Sequence, residues 1–170
     1  MKLFPTGSAS SAYRVDYERL VDEGIRGIIF DIDNTLVPHG APATPEAVSL
    51  FAYLRSIGLD TCLISNNKEE RVKSFADDVG SKYQFKAGKP KKKGYIAAME
   101  MMGTDRDSTI FIGDQIFTDI WGANRAGIPS CRVLPINSRE EIQIVLKRFI
   151  EKPILKAHSL SKKKVDYEKR

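Results

Sequence analysis

The chain has 170 residues, 42% hydrophobic and 29% charged, the balance of a single soluble globular domain with enough apolar material for one core. No apolar run approaches the length that spans a bilayer, and no signal-peptide stretch opens the chain, so a cytoplasmic protein, soluble or peripheral to a membrane, is expected. The net charge of +5 is unevenly placed: residues 147–170 hold nine of the 27 Lys and Arg but only three of the 22 acids, which reads either as a solvated tail or as a contact for an anionic partner such as a lipid surface or RNA.

In chain order, Tyr13, Tyr17, Leu20 and Val21 predict an N-terminal helix over about 13–23, leading to Gly24. Ile25–Phe30 is a near-continuous apolar run, as expected of a strand buried on both faces. Thr44 as cap and Pro45 in the first turn open a helix with Val48, Phe51 and Leu54 at helical spacing. Thr61–Ile64 is a second strand. Val72, Phe75, Ala76 and Val79 mark a helix that stops at Gly80. Tyr83–Phe85 is a weaker third strand. Pro90 is read as opening a helix with Tyr95, Ala98, Met99 and Met102, closed by Gly103. Thr109–Ile112 is a fourth strand, a helix follows from about Phe117 to Ala126, and Ser130–Leu134 is a fifth strand. Ile142, Val145, Leu146 and Phe149 mark a last helix over about 138–150. Cys62 and Cys131 lie in strand runs without CxxC spacing and read as reduced core residues. The alternation predicts an α/β, Rossmann-like domain over 1–150, with a parallel sheet of about five strands and helices on both faces. Residues 151–170 are then a basic tail.

In such sheets ligands bind outside the carboxyl ends of the strands. The first strand ends in Asp31-Ile32-Asp33-Asn34-Thr35, whose two carboxylates, two residues apart, point the same way. They repel each other unless a cation or proton separates them. Alone, this pattern fits a solvated acidic turn equally well. The second strand ends in Ser65-Asn66-Asn67, the third is followed by Gly88-Lys89-Pro90, and the fourth ends in Gly113-Asp114 with Asp119 five residues on. Carboxylates, a hydroxyl, a lysine and a further carboxylate at successive strand ends describe a hard-cation site beside a phosphate site.

As an ordered set, DIDNTL, ISNN, GKP and GDQIFTD resemble the four motifs of haloacid dehalogenase (HAD) phosphatases, over roughly Gly27 to Gly127. More narrowly they resemble the small, capless subclass III members of the YqeG family, which are similar to mitochondrial phosphatidylglycerophosphate phosphatases. The resemblance implies that Asp31 is the nucleophile, forming an aspartyl-phosphate, and that Asp33 protonates the leaving oxygen and later activates water. It implies Mg²⁺ held by Asp31, Asp114 and the backbone carbonyl of Asp33. Asp119 supports the site by holding metal-bound water or by positioning Lys89. Ser65 and backbone amides near Asn34 and Asn66 would bind phosphate oxygens, with Lys89 balancing charge. Thr35 is either a further phosphate ligand or only a turn residue. Lys86, Lys91, Lys92 and Lys93 compete with Lys89, which is preferred because Pro90 is read as fixing it at a helix start. Asn67 reads as a helix cap, Trp121 as packing, and His39 and His158 are given no role.

Thirty-four positions separate Asp31 from Ser65 and 24 separate Ser65 from Lys89. Each gap is filled by one helix, so no cap domain encloses the site. An open site favours a large or surface-presented substrate, and the resemblance points to phosphatidylglycerophosphate at an anionic membrane. Val37–Thr44 is the candidate rim loop, and Leu3, Phe4 and Pro5 read as either a bilayer contact or a disordered end. Two other classes stay open. One is a receiver-like domain that is phosphorylated but does not turn over. The other is an RNA- or ribosome-associated protein using its basic tail, although that tail lacks interleaved aromatics. Oligomeric state is not legible.

Overall fold

The computed structural model describes residues 3–137 and 165–168. Its strands are β1 (Gly7–Ser8), β2 (Gly27–Phe30), β3 (Asp60–Ile64), β4 (Lys82–Gln84), β5 (Thr109–Gly113), β6 (Ser130–Arg132) and β7 (Val165–Asp166). They form one sheet in the order β4-β3-β2-β5-β6-β1-β7, parallel at every pairing. The helices are α1 (Tyr17–Asp22), α2 (Pro45–Ser56), α3 (Glu69–Val79), α4 (Lys93–Met102) and α5 (Trp121–Ala126).

The strand period of two divides the core. Ile28 and Phe30 of β2 face one cluster with Leu63, Ile112 and the inner faces of α1, α2 and α3, including Leu20, Phe51, Leu54, Val72 and Phe75. Ile29, between them, faces the other cluster with Ile64, Phe111, Tyr95 and Met99, closed by α4 and α5. Because both faces are covered, β2 and β5 are buried at every position, which is why they read as unbroken apolar runs. Local signals set the helix ends. The Thr44 hydroxyl accepts from Ala47 N at 3.2 Å ahead of Pro45, and α3 stops at Gly80, whose φ of 69° suits a residue without Cβ.

The sheet departs from the five strands expected. β1 and β7 are two-residue strands on one edge, too short to leave an apolar pattern; β1 adds to β6, and β7 adds to β1. Part of the stretch read as tail therefore lies in the sheet, and Tyr167 is buried. The N-terminal residues are likewise tied down: Thr6 N donates to Ser130 O, and Leu3 is buried while Phe4 is exposed. The N-terminal helix is a 3-10 turn (Ala12–Arg14) followed by the shorter α1. The helix expected at 138–150, and the rest of the basic tail, lie outside the described residues.

Two corrections touch the site. Pro90 does not open α4. The Lys89–Pro90 peptide is cis, and the helix begins at Lys93, so the helix-start argument for Lys89 does not hold. The helix expected over about 117–126 runs unbroken from Ile116 to Ala126, but its first turn, Ile116–Ile120, is π-helical.

Candidate active site at the strand ends

Chain order runs β2, β3, β4 outward on one side of the sheet, then returns with β5 on the other side of β2. This reversal between β2 and β5 is the topological switch point where such sheets bind ligands. Asp31 follows β2, its N–H donating to Ile112 O at 3.0 Å, and Asp114 follows β5. Ser65 follows β3, and Lys89 comes from the loop after β4. Four neighbouring strand ends thus deliver four functional side chains to one place, and Asp31, Ser65, Lys89 and Asp114 are all buried there.

Lys89 Nζ lies 2.5 Å from Asp31 Oδ1 and 2.7 Å from Asp119 Oδ1. Burial opposes the lysine's charge, but the Asp119 and Asp31 carboxylates outweigh it and hold the ammonium above its ordinary pKa. Asp31 is pushed up to about 7, chiefly by burial, against the pull of Lys89. The π-helical turn gives Asp119 its inward direction: Asp119 N and Ile120 N share Gln115 O at 3.1 Å each, and Asp119 Oδ2 accepts from Gln115 N at 3.1 Å. Such turns recur at functional sites. From below, Tyr95 Oη donates to the carbonyls of Thr118 at 2.9 Å and Asp119 at 3.0 Å.

Thr35 is buried with its hydroxyl 3.3 Å from Asp31 Oδ2 and 3.4 Å from Asp114 Oδ1. It therefore faces both carboxylates with one proton to give. Asn34 sits in the left-handed region (φ 63°), which asparagine tolerates. Its N–H is engaged with Val37 O at 2.7 Å, so this amide closes the turn instead of pointing at a phosphate. Asn66 has a side-chain role as well. Its side chain grips the Lys89 backbone at two points, Oδ1 accepting from Lys89 N at 2.8 Å and Nδ2 donating to Lys89 O at 3.2 Å. The grip supplies the fixing of Lys89 that the sequence assigned to Pro90. Ser65 Oγ accepts from Asn67 N at 3.2 Å.

Asp33 has three donors around its carboxylate. Asn67 Nδ2 is 2.6 Å from Oδ2, while Arg71 Nη2 at 3.1 Å and Gly40 N at 2.9 Å both reach Oδ1. Asn67 is thus a ligand of Asp33 rather than a cap, since the cap position of α3 is Lys68. Arg71 left one sequence signal, a cation in the first turn of α3, where the helix dipole disfavours it. Sequence reasoning also passed over His39, which with Gln115 and Thr118 lines the same pocket of about 220 Å³ as Asp31, Asp33, Ser65 and Lys89. His39 and Gly40 belong to the expected rim loop. Trp121 does pack, with the Arg125 guanidinium 5.4 Å from its ring.

Asp31, Asp114 and Asp119 can each bring a carboxylate oxygen within 4.8 Å of the others, all three buried. Lys89 bonds two of these three buried carboxylates, Asp31 and Asp119. The cluster of buried carboxylates, an all-oxygen donor set, fits a hard divalent cation. Asp31 and Asp114, whose carboxylates lie 3.3 and 3.4 Å from the Thr35 hydroxyl, would hold such an ion beside Asp119.

A buried aspartate at a parallel-strand switch point, with a lysine and a second acidic pair, defines a hydrolase of the haloacid dehalogenase type. A family model described as haloacid dehalogenase-like hydrolase matches residues 39–127, and the chain belongs to that family. It is 34% identical to the Bacillus subtilis protein named "Probable phosphatase YqeG", covering 90% of both chains. It is 27% identical to the chloroplastic/mitochondrial phosphatidylglycerophosphate phosphatase 1 of Arabidopsis thaliana, over 91% of this chain but only 47% of that protein. A HAD subfamily III A hydrolase of Legionella pneumophila has the same fold, with a TM-score of 0.54 at 16% identity, over 76% of this chain and 72% of that one. Family and relatives together make the protein a phosphatase. Among the described residues no helix is long and apolar enough to cross a membrane.

Proposed function

We propose that the protein hydrolyses phosphomonoesters through a phosphoryl-Asp31 intermediate, with Mg²⁺ as cofactor, and that its substrate is large or membrane-presented, such as phosphatidylglycerophosphate. The observation that carries the reading is the placement of Asp31 against Lys89, at 2.5 Å, in the same pocket as Asp33. Asp31 attacks phosphorus, and the leaving oxygen takes a proton from Asp33. Asp33 then accepts a proton from water, whose oxygen displaces phosphate from Asp31. Lys89 keeps the nucleophile in place and balances charge as phosphoryl oxygens arrive, and the Ser65 hydroxyl offers them a donor. Mg²⁺, held by Asp31, Asp114 and the Asp33 carbonyl, would supply charge neutralisation on the phosphoryl oxygens.

The substrate reading rests on the short intervals between the strand ends that carry the site. The segment from Asp31 to Ser65 contains α2 and β3, and the segment from Ser65 to Lys89 contains α3 and β4, so neither holds a cap domain. The named activity of the Arabidopsis relative favours a phospholipid headgroup. The test is phosphate release from phosphatidylglycerophosphate in mixed micelles, with Mg²⁺ or EDTA, using Asp31→Asn as blank and p-nitrophenyl phosphate as control. Release that needs Mg²⁺ and vanishes in the variant supports the proposal. Activity on the control alone discards the lipid and opens nucleotides and phosphoproteins to screening. Silence on both overturns the mechanism.

A further inference from the structure

We propose that Arg71 is the positioning residue for Asp33, and that its hold on the carboxylate aims the proton donor at the leaving oxygen. The inference rests on the reading of Asp33 as the general acid and goes beyond it. Asp33 lies in the loop after β2, in an isolated β-bridge to Val37. Its direction comes from outside: Arg71 Nη2 and Gly40 N on Oδ1, and Asn67 Nδ2 on Oδ2. Of these three donors only Arg71 carries charge, and charge-assisted hydrogen bonds are the stronger kind.

Arg71 is itself placed for this task. It stands in the first turn of α3, immediately after the β3 strand end that carries Ser65, Asn66 and Asn67. Its guanidinium lies 5.5 Å from the Phe75 ring centroid, one helical turn on, which fixes the long side chain against the helix. Both partners of the Arg71–Asp33 pair are largely buried, with side chains 21% and 14% exposed. The pair therefore escapes most of the screening that makes surface pairs weak. Arg71 does not touch Asp31, so its influence on the chemistry passes through Asp33. The Gly40 N–H adds a link from the rim loop to the same oxygen, so the acid is held jointly by the second motif's helix and by the loop a substrate must pass.

General acid help is needed in proportion to the basicity of the leaving oxygen. p-Nitrophenolate leaves without a proton, whereas an alkoxide requires one. kcat/KM covers only steps up to phosphoryl transfer, so it isolates the acid role from the later hydrolysis. Arg71→Gln is expected to lower kcat/KM on an alkyl phosphomonoester at least about tenfold more than on p-nitrophenyl phosphate. Arg71→Lys keeps the charge but not the planar fork and should recover part of the difference. In an Asp33→Asn background, Arg71→Gln should add almost nothing on the alkyl ester. Equal losses on both esters, or full additivity with Asp33→Asn, would overturn the proposal while leaving the phosphatase mechanism intact. If Asp33→Asn itself affects the two esters equally, the assignment of Asp33 as acid falls, and this role for Arg71 falls with it. Arg71→Lys carries the same ester comparison should the Gln variant fold poorly.

Discussion

Lys89 Nζ is bonded to Asp31 Oδ1 at 2.5 Å in a region almost closed to solvent, the two side chains being 5% and 10% exposed. The lysine does two jobs at once, holding the Asp31 carboxylate in place and keeping Asp31 and Asp119 from repelling each other. Lys89→Met removes the cation and leaves both carboxylates buried. Breaking a buried ionic set in this way costs about 3–5 kcal/mol, and the loss of a preorganised charge lowers kcat by about 10²-fold or more. Urea unfolding and steady-state rates measure the two effects. A variant with wild-type stability and rate would remove Lys89 from the site.

The raised pKa of Asp31 predicts a pH dependence in metal-free protein. Its carboxyl titrates near 7 when folded because burial disfavours the charge, and near 4 when unfolded. The folded state therefore holds the proton more tightly. Stability from this group is complete below about 4 and is lost as pH rises towards 7, by an amount on the order of 2–4 kcal/mol. Asp31→Asn, which cannot ionise, should flatten this part of the stability profile. Identical profiles for wild type and variant in EDTA, between pH 4 and 7, would contradict the assignment. A divalent cation needs the ionised form, so its affinity should rise over the same range.

Asn66 is expected to matter for rate more than for binding. Its two hydrogen bonds to the Lys89 backbone, at 2.8 and 3.2 Å, set where the ammonium sits. Asn66→Ala frees that loop, and a displacement of about 1 Å is enough to lower kcat about 10²-fold. KM should change little, because both ends of the Asn66 amide are engaged by the Lys89 backbone. A pure KM effect would instead make it a phosphate ligand.

Gly122 packs directly under Tyr95. A Cβ there would overlap the Tyr95 hydroxyl and ring, whose Oη supports the carbonyls of Thr118 and Asp119. Gly122→Ala should cost about 1–3 kcal/mol through overpacking and should also lower kcat, since the displaced tyrosine supports the Asp119 turn. Thermal unfolding and rate together check this. Tyr95→Phe, which keeps the ring and loses only the hydroxyl, should cost about 1 kcal/mol.

Much of the fold was legible because the central strands are buried on both faces. Runs such as Ile25–Phe30 and Thr109–Ile112 carry their assignment in composition alone. The capped and glycine-stopped helices α2 and α3 were equally plain. What failed had no local signature. β1 and β7 contribute two residues each and exist only as additions to an edge. A proline's preference for a first turn puts the start of α4 at Pro90, whereas Pro90 lies in the loop and the helix begins at Lys93. The π-helical turn at Ile116–Ile120 follows from where Asp119 must point, which the helical period of the sequence does not encode.

Read alone, the sequence picks out the candidate groups: Asp31, Asp33, Ser65, Lys89, Asp114 and Asp119 each follow the end of a recognisable strand. It also determined that no cap domain separates them, because the intervals are too short. Which groups touch which was decided by the sheet order alone. Placing β2 between β3 and β5 brings residues 31, 65 and 114 together, and the loop after β4 then folds back so that Lys89 reaches both Asp31 and Asp119. The holding contacts, Asn66 on Lys89 and Arg71, Asn67 and Gly40 on Asp33, join residues from different elements. Side-chain contacts of that kind depend on distances through space, and a linear pattern of residues does not contain them.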